Sequence, residues 1–205
     1  MGIVERKAKE REDLWELILQ GAKKLFVEKG IEQTTIRSIA DAINYSVGTV
    51  YVYFKNKDAI LHALHTQGFL ELSGQFSVLS NVADPMERLR AMGRVYIKYA
   101  LQNPDMYNLM MTVKAPIEFL SAINTEEWNE GKATFDALRT TVGQCMEAGH
   151  FSGHKLEPLA FMIWSLVHGM CSLDIGQRTK GVNLDNPVTI VDQAYDEFLK
   201  IMAEL

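Results

Sequence analysis

Cysteine is nearly missing from this chain of 205 residues, with Cys145 and Cys171 the only two. Both fall in stretches expected to form buried helices, so they read as small core residues of a cytosolic protein and not as a disulfide pair. Proline is scarce as well, at five, and each one sits where a helix is expected to begin. No segment reaches the roughly 18 uninterrupted apolar residues of a membrane span. The Met1-Gly-Ile-Val start runs directly into the charged stretch from Glu5 to Asp13, which leaves no apolar run for a signal peptide and makes a cytoplasmic location the expectation. Catalytic signatures are missing too. There is no phosphate-binding glycine loop, no Gly-x-Ser-x-Gly and no His-Glu-x-x-His. His62 with His65, and His150 with His154, have no carboxylates or cysteines at ligand spacing. An enzyme, a metal site and a cofactor are therefore not expected.

What is present is helical. The chain is 47% hydrophobic, enough to bury one or two cores, and no stretch alternates apolar and polar residues as a half-buried strand does. A first helix is expected from about residue 10 to Lys29, with Leu14, Ile18, Ala22, Leu25 and Phe26 on one face and Gly30 as its stop. Later helices carry their own start signals. Asp84-Pro85-Met-Glu87 opens one to about Gln102, Asn103-Pro104 another to about Thr112, and Pro116 a short one. Thr125 caps a helix from Glu126 to Ala148, Glu157-Pro158 begins one to about Gln177, and Pro187 leads into the last. The expected fold class is all-α, with about nine helices. An N-terminal three-helix domain is expected over 1–57 and a C-terminal helical domain over 58–205, the latter read below as the ligand-binding and dimerisation domain.

The most informative stretch is Thr34 to Lys57. Thr35 can cap a helix through its hydroxyl, and Ile36, Ile39, Ala40 and Ile43 then share one apolar face. Asn44 tolerates a left-handed backbone and ends that helix, and Ser46 caps a second one over about 47–53. The result is a helix-turn-helix with a turn of about three residues. Val50 and Phe54 face the first helix, which leaves Val47, Gly48, Thr49, Tyr51 and Tyr53 at the outside or its margins. Gly48 costs up to about 1 kcal/mol against alanine inside a helix, and a close approach of backbone to a phosphate or base edge would offset that. Thr49 suits a phosphate or a thymine methyl, Val47 only apolar contact, and Tyr51, Tyr53 and Lys57 offer hydroxyls and a charge to phosphate oxygens. With Thr35, Arg37, Tyr45 and Ser46, these are the expected DNA-contacting residues.

Net charge agrees once the chain is divided. The total is -5, but residues 1–57 carry +2 and the remainder -7, so the positive end is the helix-turn-helix end. Weak basicity asks for few, well-placed phosphate contacts. The run from Glu5 to Asp13 mixes signs and reads either as a solvated, frayed helix start or as a source of phosphate or minor-groove contacts through Arg6, Lys7, Lys9 and Arg11. A fourth helix from Lys57-Asp58 to about Ser80, with Leu61, Leu64, Phe69 and Leu72 along it, links this end to the rest.

These residues resemble the TetR family of transcriptional repressors, whose N-terminal signature is close to T-x-x-x-I-A-x-x-A-G-V-S-x-G-T-[LIV]-Y-x-[HY]-F-x-x-K-[DE]-x-L. Here it stands as Thr35, Ile39-Ala40, Ser46, Gly48-Thr49-Val50-Tyr51, Tyr53-Phe54, Lys57-Asp58 and Leu61. Ile43, Asn44 and Tyr45 depart from it, standing where the pattern has a small residue, glycine and valine. The motif match covers about the first third of the chain. The resemblance implies a homodimer on a palindromic double-stranded DNA operator, released by a small-molecule effector. Alternatives are a helical ligand-binding or scaffold protein that leaves its helix-turn-helix unused, and a ligand-independent regulator or an activator.

Between Leu159 and Ile175 apolar residues surround the helix, and such a helix must be covered on all sides. Val191, Ala194, Tyr195, Phe198, Met202 and Leu205 form a stripe on the last helix. Either the two helices are the core of a monomer, or a second copy completes a two-fold four-helix bundle through Ile163, Val167, Met170, Val191, Tyr195, Phe198 and Met202; the resemblance implies the dimer. Tyr96, Tyr99, Met106, Tyr107, Met110, Phe119, Phe135 and Trp164 suit either an ordinary core or the wall of a pocket for an apolar or aromatic effector. Trp164-Ser-Leu-Val-His168-Gly169 is similar to a Trp-x-x-x-His-Gly element of one C-terminal subgroup. There His168 would bond a ligand, whereas taken alone it reads as a satisfied core histidine.

Overall fold

A computed structural model describes residues 2–111 and 129–204. The expected short helix at Pro116, Phe119, and the Thr125 cap with the first residues of its helix lie outside the described residues. Among the described residues there are nine α-helices and no strand: α1 (Ile3–Lys29), α2 (Ile36–Ala42), α3 (Val47–Tyr53), α4 (Lys57–Val78), α5 (Pro85–Gln102), α6 (Pro104–Met111), α7 (Asn129–Glu147), α8 (Leu156–Ile175) and α9 (Ile190–Ala203). Short 3-10 turns follow α4 at Leu79–Asn81 and α8 at Arg178–Gly181.

The largest departure from expectation is the start of α1, which begins at Ile3 and not near residue 10. The Gly2 N–H donates to Glu5 Oε2 at 2.8 Å, and Arg6 lies 3.5 Å from Glu10 one turn on. Opposite charges four residues apart support a helix by a few tenths of a kcal/mol per pair, so mixed charge holds a helix where no apolar stripe announces it. Every residue from Gly2 to Asp13 is exposed.

Packing divides the chain into two compact units. The first takes α1 to α3, α4 as far as Gly68, and α6 from Asp105; the second takes α4 from Phe69, α5, and α7 to α9. In the first unit, Ile18, Leu19, Ala22, Leu25 and Phe26 of α1 are buried with Ile36, Ile39 and Ala40 of α2 and Val50 of α3. A β-carbon on Gly21 would stand 2.5 Å from Ile43 Cγ2, so glycine lets α1 and the end of α2 close up. Thr34, buried, donates from Oγ1 to Gly30 O at 2.8 Å and Leu25 O at 3.2 Å, which satisfies carbonyls at the end of α1. A β-carbon on Gly68 would overlap the side chain of Met110, so α4 and α6 also meet closely.

In the second unit α5, α7 and α8 pack on one another and α9 lies on α8. Met86, Leu89, Val142, Cys145, Phe151, Leu159, Ala160, Ile163 and Met202 form its core. Asp84 Oδ1 accepts from Met86 N at 2.7 Å and Glu87 N at 3.2 Å, the cap expected of it. Arg88 then pins the connection before α5, donating to Val82 O at 3.0 and 2.6 Å and to Gln144 Oε1 on α7 at 2.5 Å. Cys145 and Cys171 are buried free thiols, which burial pushes up to about 11 and about 12, as befits unreactive core residues.

Candidate nucleic-acid interface

Local chemistry sets the geometry of α2, the turn and α3. Thr35 Oγ1 accepts from Ser38 N at 3.1 Å while the Thr35 N–H donates to Ser38 Oγ at 2.9 Å, so both groups close the first turn of α2. Asn44 takes the left-handed conformation, with φ 58, and the Tyr45 N–H returns to Ala40 O at 3.0 Å. Ser46 Oγ then accepts from Thr49 N at 3.0 Å and opens α3. Val50 and Phe54 are buried toward the first two helices. Trp15 of α1 stacks on Phe54 with ring centroids 6.1 Å apart, which fixes the far end of α3.

The expected DNA-contacting residues differ in exposure. Thr35, Arg37, Tyr45, Ser46, Gly48 and Tyr51 are exposed, while Val47, Thr49 and Tyr53 are half-buried. A β-carbon built on Gly48 would find only Ser46 Oγ, at 3.7 Å. The protein itself therefore has no packing reason for glycine there, although glycine weakens the helix. The Thr49 hydroxyl shares a 2.8 Å hydrogen bond with Ser46 Oγ, so it is oriented by the cap and keeps unused hydrogen-bonding capacity. Two exposed neighbours escaped the sequence reading: Val52, which is 72% exposed beside Tyr51, and Lys55. Val52 gave no signal because an apolar residue in a helix reads as core.

Lys57 departs from expectation. It is half-buried, and its Nζ donates to Ile31 O at 2.6 Å, tying the start of α4 to the loop after α1. Twenty-six residues separate the partners, so no local pattern reveals the contact.

The expected ligand residues divide between the two units. In the second unit, Tyr96 OH lies 3.2 Å from His168 Nδ1, and the rings of His168 and Trp164, and of Trp164 and Phe135, have centroids 6.1 and 5.8 Å apart. Burial holds His168 below its ordinary pKa, hence neutral near pH 7. Tyr99 is buried and donates to Glu71 Oε2 at 3.2 Å; burial, then the nearby Glu71 charge, pushes its hydroxyl well up. Met106, Tyr107 and Met110 belong instead to α6, where they are buried in the first unit.

Most of the expected dimer contacts lie inside the chain. Ile163, Val167, Val191, Tyr195 and Met202 are buried within the chain itself. Tyr195 is the clearest case: its hydroxyl donates to Arg90 O at 2.9 Å, and a β-carbon on Gly93 would overlap its ring. Little of these side chains is left for a second copy to cover, and only Met170 and Phe198 of that set are half-buried. The apolar residues left outside are Phe161, Met162 and Leu173 on α8 and Ile201 on α9. Among the described residues no group of three or more His, Cys, Asp or Glu side chains is placed to hold a metal ion.

Fold and site together define a helix-turn-helix protein with a separate all-helical second unit. Residues 18–64 match the family described as bacterial regulatory proteins, tetR family, and residues 89–198 match the tetracyclin repressor-like C-terminal domain. The second match alone covers more than half of the chain, and the protein belongs to the TetR family. Among its relatives is the probable acrEF/envCD operon repressor of Escherichia coli K12, 27% identical over 136 residues, which are 64% of this chain and 62% of that one. Another is the transcriptional repressor KstR2 of Mycobacterium tuberculosis, 32% identical over 77 residues, 37% of this chain and 38% of that one. The chain thus spans less than two thirds of the length of the curated relatives it matches. Among solved structures, the fatty acid degradation regulator FadR from Bacillus halodurans superposes with a TM-score of 0.69 at 18% identity, covering 90% of this chain and 94% of that one. At that identity the likeness speaks for the fold.

Proposed function

We propose that the protein is a transcriptional repressor, and not an enzyme, that binds a palindromic DNA operator as a homodimer in the cytoplasm and releases it when a small, largely apolar or aromatic molecule enters its second unit. The observation that carries this reading is the outward side of α3, where a β-carbon on Gly48 would touch only Ser46 Oγ, at 3.7 Å, and Tyr45 and Tyr51 nearby in sequence are exposed. A recognition helix of this kind lies in a major groove, and two of them must meet successive grooves about 34 to 36 Å apart. Dimerisation sets that spacing. The free apolar residues Phe161, Met162 and Leu173 are the surface assigned to the second copy. Their helix, α8, is by length and composition apolar enough to cross a membrane, with mean hydropathy 1.3, yet its other face is the second unit's core.

The effector is assigned to the Tyr96, His168, Trp164 and Phe135 cluster. Neutral imidazole has one donor and one acceptor, so a polar group on the effector can replace Tyr96 as the partner of His168 while its apolar body meets the rings. Release follows only if the effector binds the DNA-free state more tightly. Helix α4 belongs to both units and is the element through which such a preference would act.

Selection of duplexes from a random pool by the purified protein tests the reading. An inverted repeat should be enriched; a pool that stays random after repeated rounds contradicts it. Aromatic and amphipathic compounds that raise the melting temperature should then dissociate the complex.

A further inference from the structure

The start of α1 is exposed at every residue from Gly2 to Asp13. Trp15 stacks on Phe54, the residue directly after the last one of α3, so α1 passes the end of the recognition helix at Trp15. At about 1.5 Å per residue, Arg11 stands about 6 Å and Lys7 about 12 Å further along α1 from that crossing. Successive residues turn by about 100°, so Val4, Lys7 and Trp15 all fall within about 40° of Arg11 around the helix. The acids of this segment, Glu5, Glu10, Glu12 and Asp13, lie at least about 100° away from it. One side of a segment that carries no net charge is therefore basic. Glu10 is engaged with Arg6 at 3.5 Å, whereas among the described residues no ion pair engages Lys7 or Arg11.

Cations are few on the docking side itself. From Thr35 to Lys57 the chain has Arg37, Lys55 and Lys57, and the Lys57 ammonium is spent in part on Ile31 O. We propose that the first three turns of α1 form a second DNA contact, in which Lys7 and Arg11 neutralise backbone phosphates of the same duplex that α3 enters. They stand only about 6 Å apart along α1, so both can reach phosphates of one strand. The contact adds affinity and no base readout, because phosphates carry no sequence. This inference rests on the DNA-binding reading above.

The test measures binding of wild type, Lys7→Ala/Arg11→Ala, Lys7→Arg/Arg11→Lys and Lys9→Ala to a duplex that the wild-type protein has itself enriched from a random pool, over a range of salt. Lys9 lies about 160° around the helix from Arg11 and serves as the control. The alanine pair should weaken binding at least about tenfold near physiological salt and lower the slope of log affinity against log salt by about 1.8 per protomer bound. The charge-conserving pair and Lys9→Ala should keep the wild-type slope, and all variants should keep the wild-type circular dichroism, since the altered residues are exposed. A wild-type slope in the alanine pair, or an equal loss in Lys9→Ala, overturns the arm alone. Failure of the wild type to enrich or bind any duplex overturns the DNA-binding reading and the arm with it.

Discussion

Substituting Gly48 with alanine should move stability and DNA binding in opposite directions. The added methyl would find only Ser46 Oγ, 3.7 Å away, an ordinary van der Waals distance. Nothing in the protein needs to shift. Gly48 has no left-handed backbone, so alanine fits the helix and gains about 0.5 to 1 kcal/mol in conformational entropy. For a chain of this size that corresponds to a rise in melting temperature of roughly 1 to 4 °C. On DNA the same methyl occupies the space through which the backbone of α3 approaches a phosphate or base edge. Losing one good contact costs about 1 to 3 kcal/mol per half-site, or roughly five- to 150-fold, and a dimer loses it twice. Calorimetric melting and fluorescence anisotropy with an enriched duplex read both quantities on one preparation. Wild-type affinity in Gly48→Ala would refute the claim that DNA comes closest at this residue. A lowered melting temperature would refute the open environment from which the argument starts.

Lys57→Met removes the ammonium from Ile31 O while keeping the aliphatic stem; it should cost about 1 kcal/mol by chemical denaturation, and it should change the salt slope of DNA binding by less than the 0.9 or so of a full phosphate contact. Phe161→Glu should sediment as a folded monomer that no longer binds the duplex, whereas Met202→Glu, at a residue 2% exposed, should unfold the second unit; a dimeric Phe161→Glu would move the interface elsewhere. His65 is held down to about 4 by burial and then by repulsion from His62, against a hydrogen bond with the Met110 backbone. Its folded pKa thus lies below the unfolded value near 6.5, so the stability it contributes is complete above about pH 6.5 and drains away as pH falls toward about 4. The melting temperature should fall between pH 7 and pH 5, and His65→Gln should flatten that decline; an equal decline in the variant would assign it to other groups.

How far each part was readable from the chain follows from the range of the interactions that set it. Caps at Thr35, Ser46 and Asp84 depend on residues at most three positions away, and the left-handed Asn44 on one side chain, so these stood in plain view. The beginning of α1 did not, because helix starts are read from an apolar stripe and Ile3 to Asp13 has none; it carries instead the Glu5 contact with Gly2 N and the exposed pair of Arg6 with Glu10. Helix α8 shows the limit of periodicity. Its apolar surface runs all the way round, so spacing alone could not tell that Ile163 and Val167 turn inward while Phe161 and Met162 stay outside. Tyr195 against Gly93, and Lys57 on Ile31, are contacts between distant segments that leave no local trace. Tyr96 and His168 stand 72 residues apart, and residue type alone does not separate them from Met106, Tyr107 and Met110, which pack in the other unit.

The central claim is that DNA is met by α2, the turn and α3, and hydrogen exchange with and without the enriched duplex measures it most directly. Peptides spanning Thr35 to Tyr53 should gain protection on adding the duplex, with a smaller gain between Gly2 and Asp13 from the proposed arm. Unchanged exchange over Thr35 to Tyr53, with protection confined to α7, α8 or α9, would contradict the account.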